Sequence, residues 1–131
     1  MKKTLAFLGM LFMSITAVFG QYHQTEHDVR FARGKSSAIV TGVVRDSGYM
    51  ETYKVTARAG QRIRIQVSSA NRKLSFDLGD QNGNQMFDSA HGSKISTLES
   101  DGTYRIDLHA DGDIPRAQFS NVRFTLKITI L

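Results

Sequence analysis

Residues 122–130 read Val122-Arg123-Phe124-Thr125-Leu126-Lys127-Ile128-Thr129-Ile130. Apolar and polar residues alternate without a break. That period of two belongs to a β-strand with one face buried and one face wet. The same alternation recurs upstream. Val29 and Phe31 alternate, as do Ala38, Val40 and, across Gly42, Val44. Tyr53, Val55 and Ala57 follow, then Ile63, Ile65 and Val67. Leu74, Phe76 and Leu78 come next, then Tyr104, Ile106 and Leu108. No eleven-residue window after position 20 carries an apolar stripe at helical spacing. The pattern predicts an all-β fold. It is a single antiparallel β-sandwich, or a closed barrel, of about eight strands, each burying one face.

The punctuation between the runs agrees. Asp46-Ser47-Gly48 joins two strands, and Ala59-Gly60 makes a tight reversal. Asp80-Gln81-Asn82-Gly83-Asn84 contains Asn-Gly, the strongest short-range hairpin signal. Ser100-Asp101-Gly102 reads as another hairpin. The stretch from Ala110 to Asn121 is a long connection containing Gly112, Pro115 and Arg116. Loops of that length inside a compact domain are more often functional than decorative. Gln21 to His27 is polar and reads as a frayed terminus.

Residues 1–20 read differently. Lys2 and Lys3 precede an apolar run from Leu5 to Phe19, which closes on Val18-Phe19-Gly20. That is the order of a secretory signal peptide, too short for a membrane span of ~20 apolar residues. The expected organisation is a signal peptide at 1–20 and one β-sandwich domain at 21–131, exported to the periplasm without a membrane anchor. Removal of 1–20, which holds two lysines and no acid, lowers the net charge from +5 to +3. There is no cysteine, hence no disulfide, thiol nucleophile, iron–sulfur cluster or lipoprotein anchor. Export and the lack of any basic cluster along the chain argue against a nucleic-acid partner.

Catalytic chemistry finds no foothold in the residue pattern. No Gly-x-Ser-x-Gly occurs. His23, His27, His91 and His109 are scattered. His109 has opposite parity to Leu108 and is expected to face solvent. His23-x-x-x-His27 would suit a metal only on a helix. Asp77, Asp80, Asn82, Asn84 and Asp88 crowd oxygen ligands around the Asn-Gly turn. A calcium loop of the EF type counted from Asp80 needs Gly and Glu where Gln85 and His91 stand. A hairpin with Asx turns is the preferred account of these residues. Carboxylate pairs for glycoside cleavage leave no local mark, and nothing points to them. The expectation is a protein that is not an enzyme, with no cofactor and no metal.

Two places suit contact with a partner. Arg45-Asp46-Ser47-Gly48-Tyr49 puts an arginine and an aromatic on a tight turn, and both types are enriched at binding hot spots. A tyrosine folded back on the sandwich edge would read the same way. Ile114-Pro115-Arg116 places an arginine, capable of a forked pair with a carboxylate, beside a proline that limits loop freedom. An ordinary solvated loop arginine is the plain alternative.

Val29-x-Phe31-x-x-Gly34-x-Ser36-Ser37-Ala38, Gly42, Gly48-Tyr49-x-x-x-Tyr53 and Ala57-x-x-Gly60-Gln61 together resemble the periplasmic inhibitors of g-type lysozyme. Gly102-x-Tyr104-x-Ile106 and Phe124-Thr125-Leu126-x-Ile128 look like that family's last two strands. The likeness spans about residues 28 to 130. It implies a β-sandwich that binds a g-type lysozyme in the periplasm and inserts loops into its peptidoglycan-binding cleft. The positions implied are Ser47, Gly48, Tyr49, Pro115 and Arg116. The Ala-Gly-Gln turn, the Asp-x-x-Gly hairpin and the Gly-Thr-Tyr strand also look like bacterial pre-peptidase C-terminal domains. That resemblance implies the alternative, a cell-wall or carbohydrate-binding β-sandwich.

Overall fold

The computed structural model describes residues 23–45, 49–69, 74–110 and 121–131. These residues hold no helix and nine strands. The strands are β1 (His23–Asp28), β2 (Ser37–Val44), β3 (Tyr49–Ala57), β4 (Arg62–Ser69) and β5 (Leu74–Asp80). They continue with β6 (Gln85–Ala90), β7 (Ser93–Thr97), β8 (Gly102–Ala110) and β9 (Val122–Ile130). A five-stranded sheet runs β1-β3-β8-β5-β6 and a four-stranded sheet runs β2-β9-β4-β7. Every pairing is antiparallel except β1 with β3, which is parallel.

The alternating residues do what their period requires. Phe76, Leu78, Tyr104, Ile106 and Leu108 point inward from one sheet, and Ile63, Ile65, Leu126 and Ile128 meet them from the other. Burying such a face is the main favourable term in forming the sandwich. Tyr53 and Phe124 bridge the sheets edge to face, with ring centroids 6.1 Å apart. Gly42 makes that bridge possible. A Cβ there would sit 2.6 Å from Phe124 Cζ and 2.8 Å from the Tyr53 hydroxyl oxygen.

Three strands differ from the sequence expectation. The polar terminus is β1, hydrogen-bonded along β3, while Val29 and Phe31 lie just beyond it and pack on the core. The Val29 amide donates to the Lys54 carbonyl at 2.9 Å. Strands β6 and β7 have no apolar alternation either. All three lie at sheet edges, where backbone pairing holds a strand whose side chains bury little.

The turns also divide. Gln81–Asn84 is the expected hairpin. Asp80 Oδ1 accepts from the Asn82 and Asn84 amides, both at 2.9 Å, and Gly83 takes φ +88°. Ser100-Asp101-Gly102 is not a hairpin. It carries the chain from β7 in one sheet to β8 in the other. The Tyr104 hydroxyl donates to the Ser100 carbonyl at 2.6 Å, and Asp101 Oδ1 accepts from the Ala59 amide at 2.7 Å. Two sheet-to-sheet crossings are thereby fastened together.

Candidate functional site

One end of the sandwich collects the segments that the sequence singles out. Val44 pairs with Val122, and the Asn121 amide donates to the Arg45 carbonyl at 2.9 Å. Leu74 pairs with Ala110, and Glu51 with Leu108. The chain therefore enters and leaves 45–49, 69–74 and 110–121 at this one end. The described flanks of 45–49 and 110–121, Arg45 and Asn121, are hydrogen-bonded to each other there. Ser47, Gly48, Pro115 and Arg116 themselves lie outside the described residues, as does the expected signal peptide at 1–20.

Tyr49 is the first residue of β3, half-buried and packed on the core. Arg45 lies over its ring, 5.8 Å from the centroid, a cation–π geometry. Its hydroxyl hydrogen-bonds the Thr25 hydroxyl of β1. The Arg45–Tyr49 pair thus has an exposed guanidinium and an anchored ring.

Beneath it runs a polar seam not anticipated from the sequence. Tyr49, Glu51 and Tyr53 share the inward parity of β3, and Thr25 and His27 face them from β1. Glu51 is only 7% exposed. His27 Nε2 lies 2.8 Å from Glu51 Oε2, and its ring stacks on Tyr53 with centroids 4.8 Å apart. Burial pushes the Tyr53 hydroxyl up from 10.0 to about 12, and the charge of Glu51 and the neighbouring Tyr49 add to the rise. A carboxylate at an inward position of an apolar strand was the available signal. Its partner could not be inferred, because β1 read as loose chain.

The outer face of the five-stranded sheet holds a second cluster. His109 Nε2 lies 3.1 Å from Asp77 Oδ2, and His109 Nδ1 lies 3.3 Å from Ser75 Oγ. His109 points outward, as its parity requires, but is tied to Asp77 rather than freely solvated. Serine, histidine and aspartate in a row invite comparison with a hydrolase triad. Ser75 is fully buried, however, so its hydroxyl is closed to a substrate. Burial pushes the Asp77 carboxyl up. Hydrogen bonds from His109 and the Ser89 amide, with the charge of His109, outweigh it and hold the carboxyl below 3.8. The cluster reads as a cross-strand brace. Among the described residues, no three His, Asp or Glu side chains converge as metal ligands.

No known family model matches the sequence, and no curated protein does. Solved structures do. The periplasmic inhibitor of g-type lysozyme PliG from Aeromonas hydrophila is similar with a TM-score of 0.70 and 20% identity. That match covers 83% of this chain and 98% of that one. PliG from Salmonella Typhimurium is similar with a TM-score of 0.66 and 23% identity, covering 82% and 98%. The pre-peptidase C-terminal domain of a Bacillus anthracis collagenase is similar with a TM-score of 0.59 and 10% identity, covering 82% and 96%. The described β-sandwich has the fold of the periplasmic inhibitors of g-type lysozyme, over nearly their whole length.

Proposed function

We propose that this chain is a periplasmic protein inhibitor that binds g-type lysozyme and blocks its peptidoglycan-binding cleft. The observation that supports the reading is that Arg45 and Asn121, which bound the segments 45–49 and 110–121, are hydrogen-bonded at one end of a sandwich with the inhibitor fold. Inhibition by obstruction needs no catalytic group. It needs a donor for the lysozyme's acidic residue and bulk where a sugar would sit. Arg116 supplies the forked donor and Tyr49 the bulk, with Ser47, Gly48 and Pro115 shaping the two segments. The Arg45 contact and the Thr25 hydrogen bond hold the Tyr49 ring before binding, which lowers the entropy lost on association.

The reading places the mature chain at 21–131, after export and removal of 1–20. Intact-mass measurement of the periplasmic protein tests that boundary, and a mass retaining Met1 would count against it. The function is tested by mixing the purified mature protein with g-type and c-type lysozymes and following lysis of cell-wall suspensions. Suppression of the g-type enzyme at near-stoichiometric ratio is expected. Undiminished lysis together with retention of the protein by peptidoglycan would favour a wall-binding sandwich instead.

A further inference from the structure

The two sheets carry opposite charge. Strands β2, β4, β7 and β9 contain no aspartate or glutamate and five cations. The strands of the other sheet contain seven carboxylates and only Lys54 and Arg105 as lysine or arginine. Both of those are compensated: Lys54 lies 3.5 Å from Glu26 and 3.6 Å from Asp28, and Arg105 lies 3.4 Å from Glu26.

On the four-stranded sheet the inward residues Ile63, Ile65, Phe124, Leu126 and Ile128 force their neighbours outward. Arg62, Arg64, Arg123 and Lys127 therefore share the outer face. Arg64 pairs in register with Thr129, and Lys127 with Gln66. Steps of about 7 Å along a strand and about 5 Å between strands set the spacing. The four cations form a diagonal band from Arg62 at one end, through Arg64 and Lys127, to Arg123 at the other. Among the described residues none of the four makes an ion pair.

Between Lys127 and Arg123 the face is hydroxylated. Thr41, Thr125 and Ser68 lie in one row across β2, β9 and β4. With Gly42, Val43 and Arg123 they line an open groove of about 800 Å³.

We propose that this face, which borders the loop end at Arg123, is a second binding surface, and that its ligand is an anionic polysaccharide lying along the band. Guanidinium groups pair with sulfate, phosphate or carboxylate through forked hydrogen bonds. A row of hydroxyls can both donate to and accept from sugar hydroxyls. The linear course of the band suits an extended polymer. A membrane surface fits less well, because among the described residues the exposed large apolar side chains are just Ile39, Ile95 and Leu131. A second copy fits less well too. On the opposite sheet four of the seven acids are already engaged, Glu26 and Asp28 with Lys54, Glu26 also with Arg105, Glu51 with His27 and Asp77 with His109.

The test uses the mature protein and heparin as the probe, with neutral dextran and phosphatidylglycerol vesicles as comparison arms. Heparin binding is expected to weaken as salt rises. Arg64→Gln/Lys127→Gln is expected to lose about tenfold or more in affinity, through lost counterion release. Arg62→Gln/Arg123→Gln should do the same from the ends of the band. Arg30→Gln/Arg33→Gln, which removes the same charge from the exposed segment between β1 and β2, should change binding little. Thermal melts confirm that each variant is folded. Equal losses in all three pairs would overturn the proposal in favour of net charge alone. So would tighter binding to the vesicles, equal binding to dextran, or no heparin binding at low salt.

Discussion

His27 Nε2 lies 2.8 Å from Glu51 Oε2, and the two residues sit on strands that run parallel at the edge of the sandwich. The contact is unequal. The Glu51 side chain is 9% exposed and that of His27 is 42% exposed. Removing His27 therefore leaves a nearly buried carboxylate without its ring partner, which costs roughly 1–3 kcal/mol. His27→Ala is expected to lower the melting temperature and to speed amide exchange across 23–28. Exchange rates unchanged in β1 would mean that the backbone ladder alone holds that strand.

Gly42 is a packing requirement rather than a turn residue. A methyl group there collides with Phe124 and Tyr53, neither of which can swing away without opening the core. Gly42→Ala should destabilise by about 1–3 kcal/mol, the usual cost of overpacking. Urea unfolding gives the value, and a wild-type midpoint would show that the bridging pair can move.

The Asp77–His109 brace should appear in the acid limb of stability. The folded carboxyl titrates below its ordinary value of 3.8. Its contribution is therefore present above that value and is lost as pH falls through the lower folded one. Asp80 is depressed as well, by the side chain and amide of Asn84, so Asp77 supplies only part of the limb. Asp77→Asn should be less stable at neutral pH and should lose less between about pH 5 and about pH 2. Parallel melting curves for the two proteins across that range would contradict the brace.

At the proposed lysozyme-binding end, Arg116→Ala and Tyr49→Ala should each weaken binding by about 2 kcal/mol or more, roughly thirtyfold. Arg116→Lys should restore little, because an ammonium cannot make the forked pair. Tyr49 is packed, so its truncation should also lower the melting temperature. Tyr49→Phe separates the two effects by keeping the ring under Arg45 and removing only the hydroxyl bonded to Thr25. Titration calorimetry against g-type lysozyme reads all four variants. Wild-type affinity in folded Arg116→Ala and Tyr49→Ala would move the contact to another surface.

Residues 38–44, 53–57, 63–67, 74–78, 104–108 and 122–130 announce their strands because each must bury one face, and burial leaves a period of two in the sequence. The Asn82-Gly83 turn is equally legible, since it is local backbone chemistry. Strands β1, β6 and β7 are not. Their place depends on hydrogen bonds to distant neighbours, and edge positions put little constraint on side chains. The same limit governs the sites. Tyr49 and its turn stand out along the chain, but its contact with Thr25 and the His27–Glu51 pair exist only once β1 docks on β3. Arg62, Arg64, Arg123 and Lys127 form no cluster in sequence. They become one because β4 and β9 pair antiparallel with Arg64 opposite Thr129, and alternation turns every second side chain to the same side. Local pattern determines which residues face inward, whereas long-range strand pairing alone decides which outward residues become neighbours.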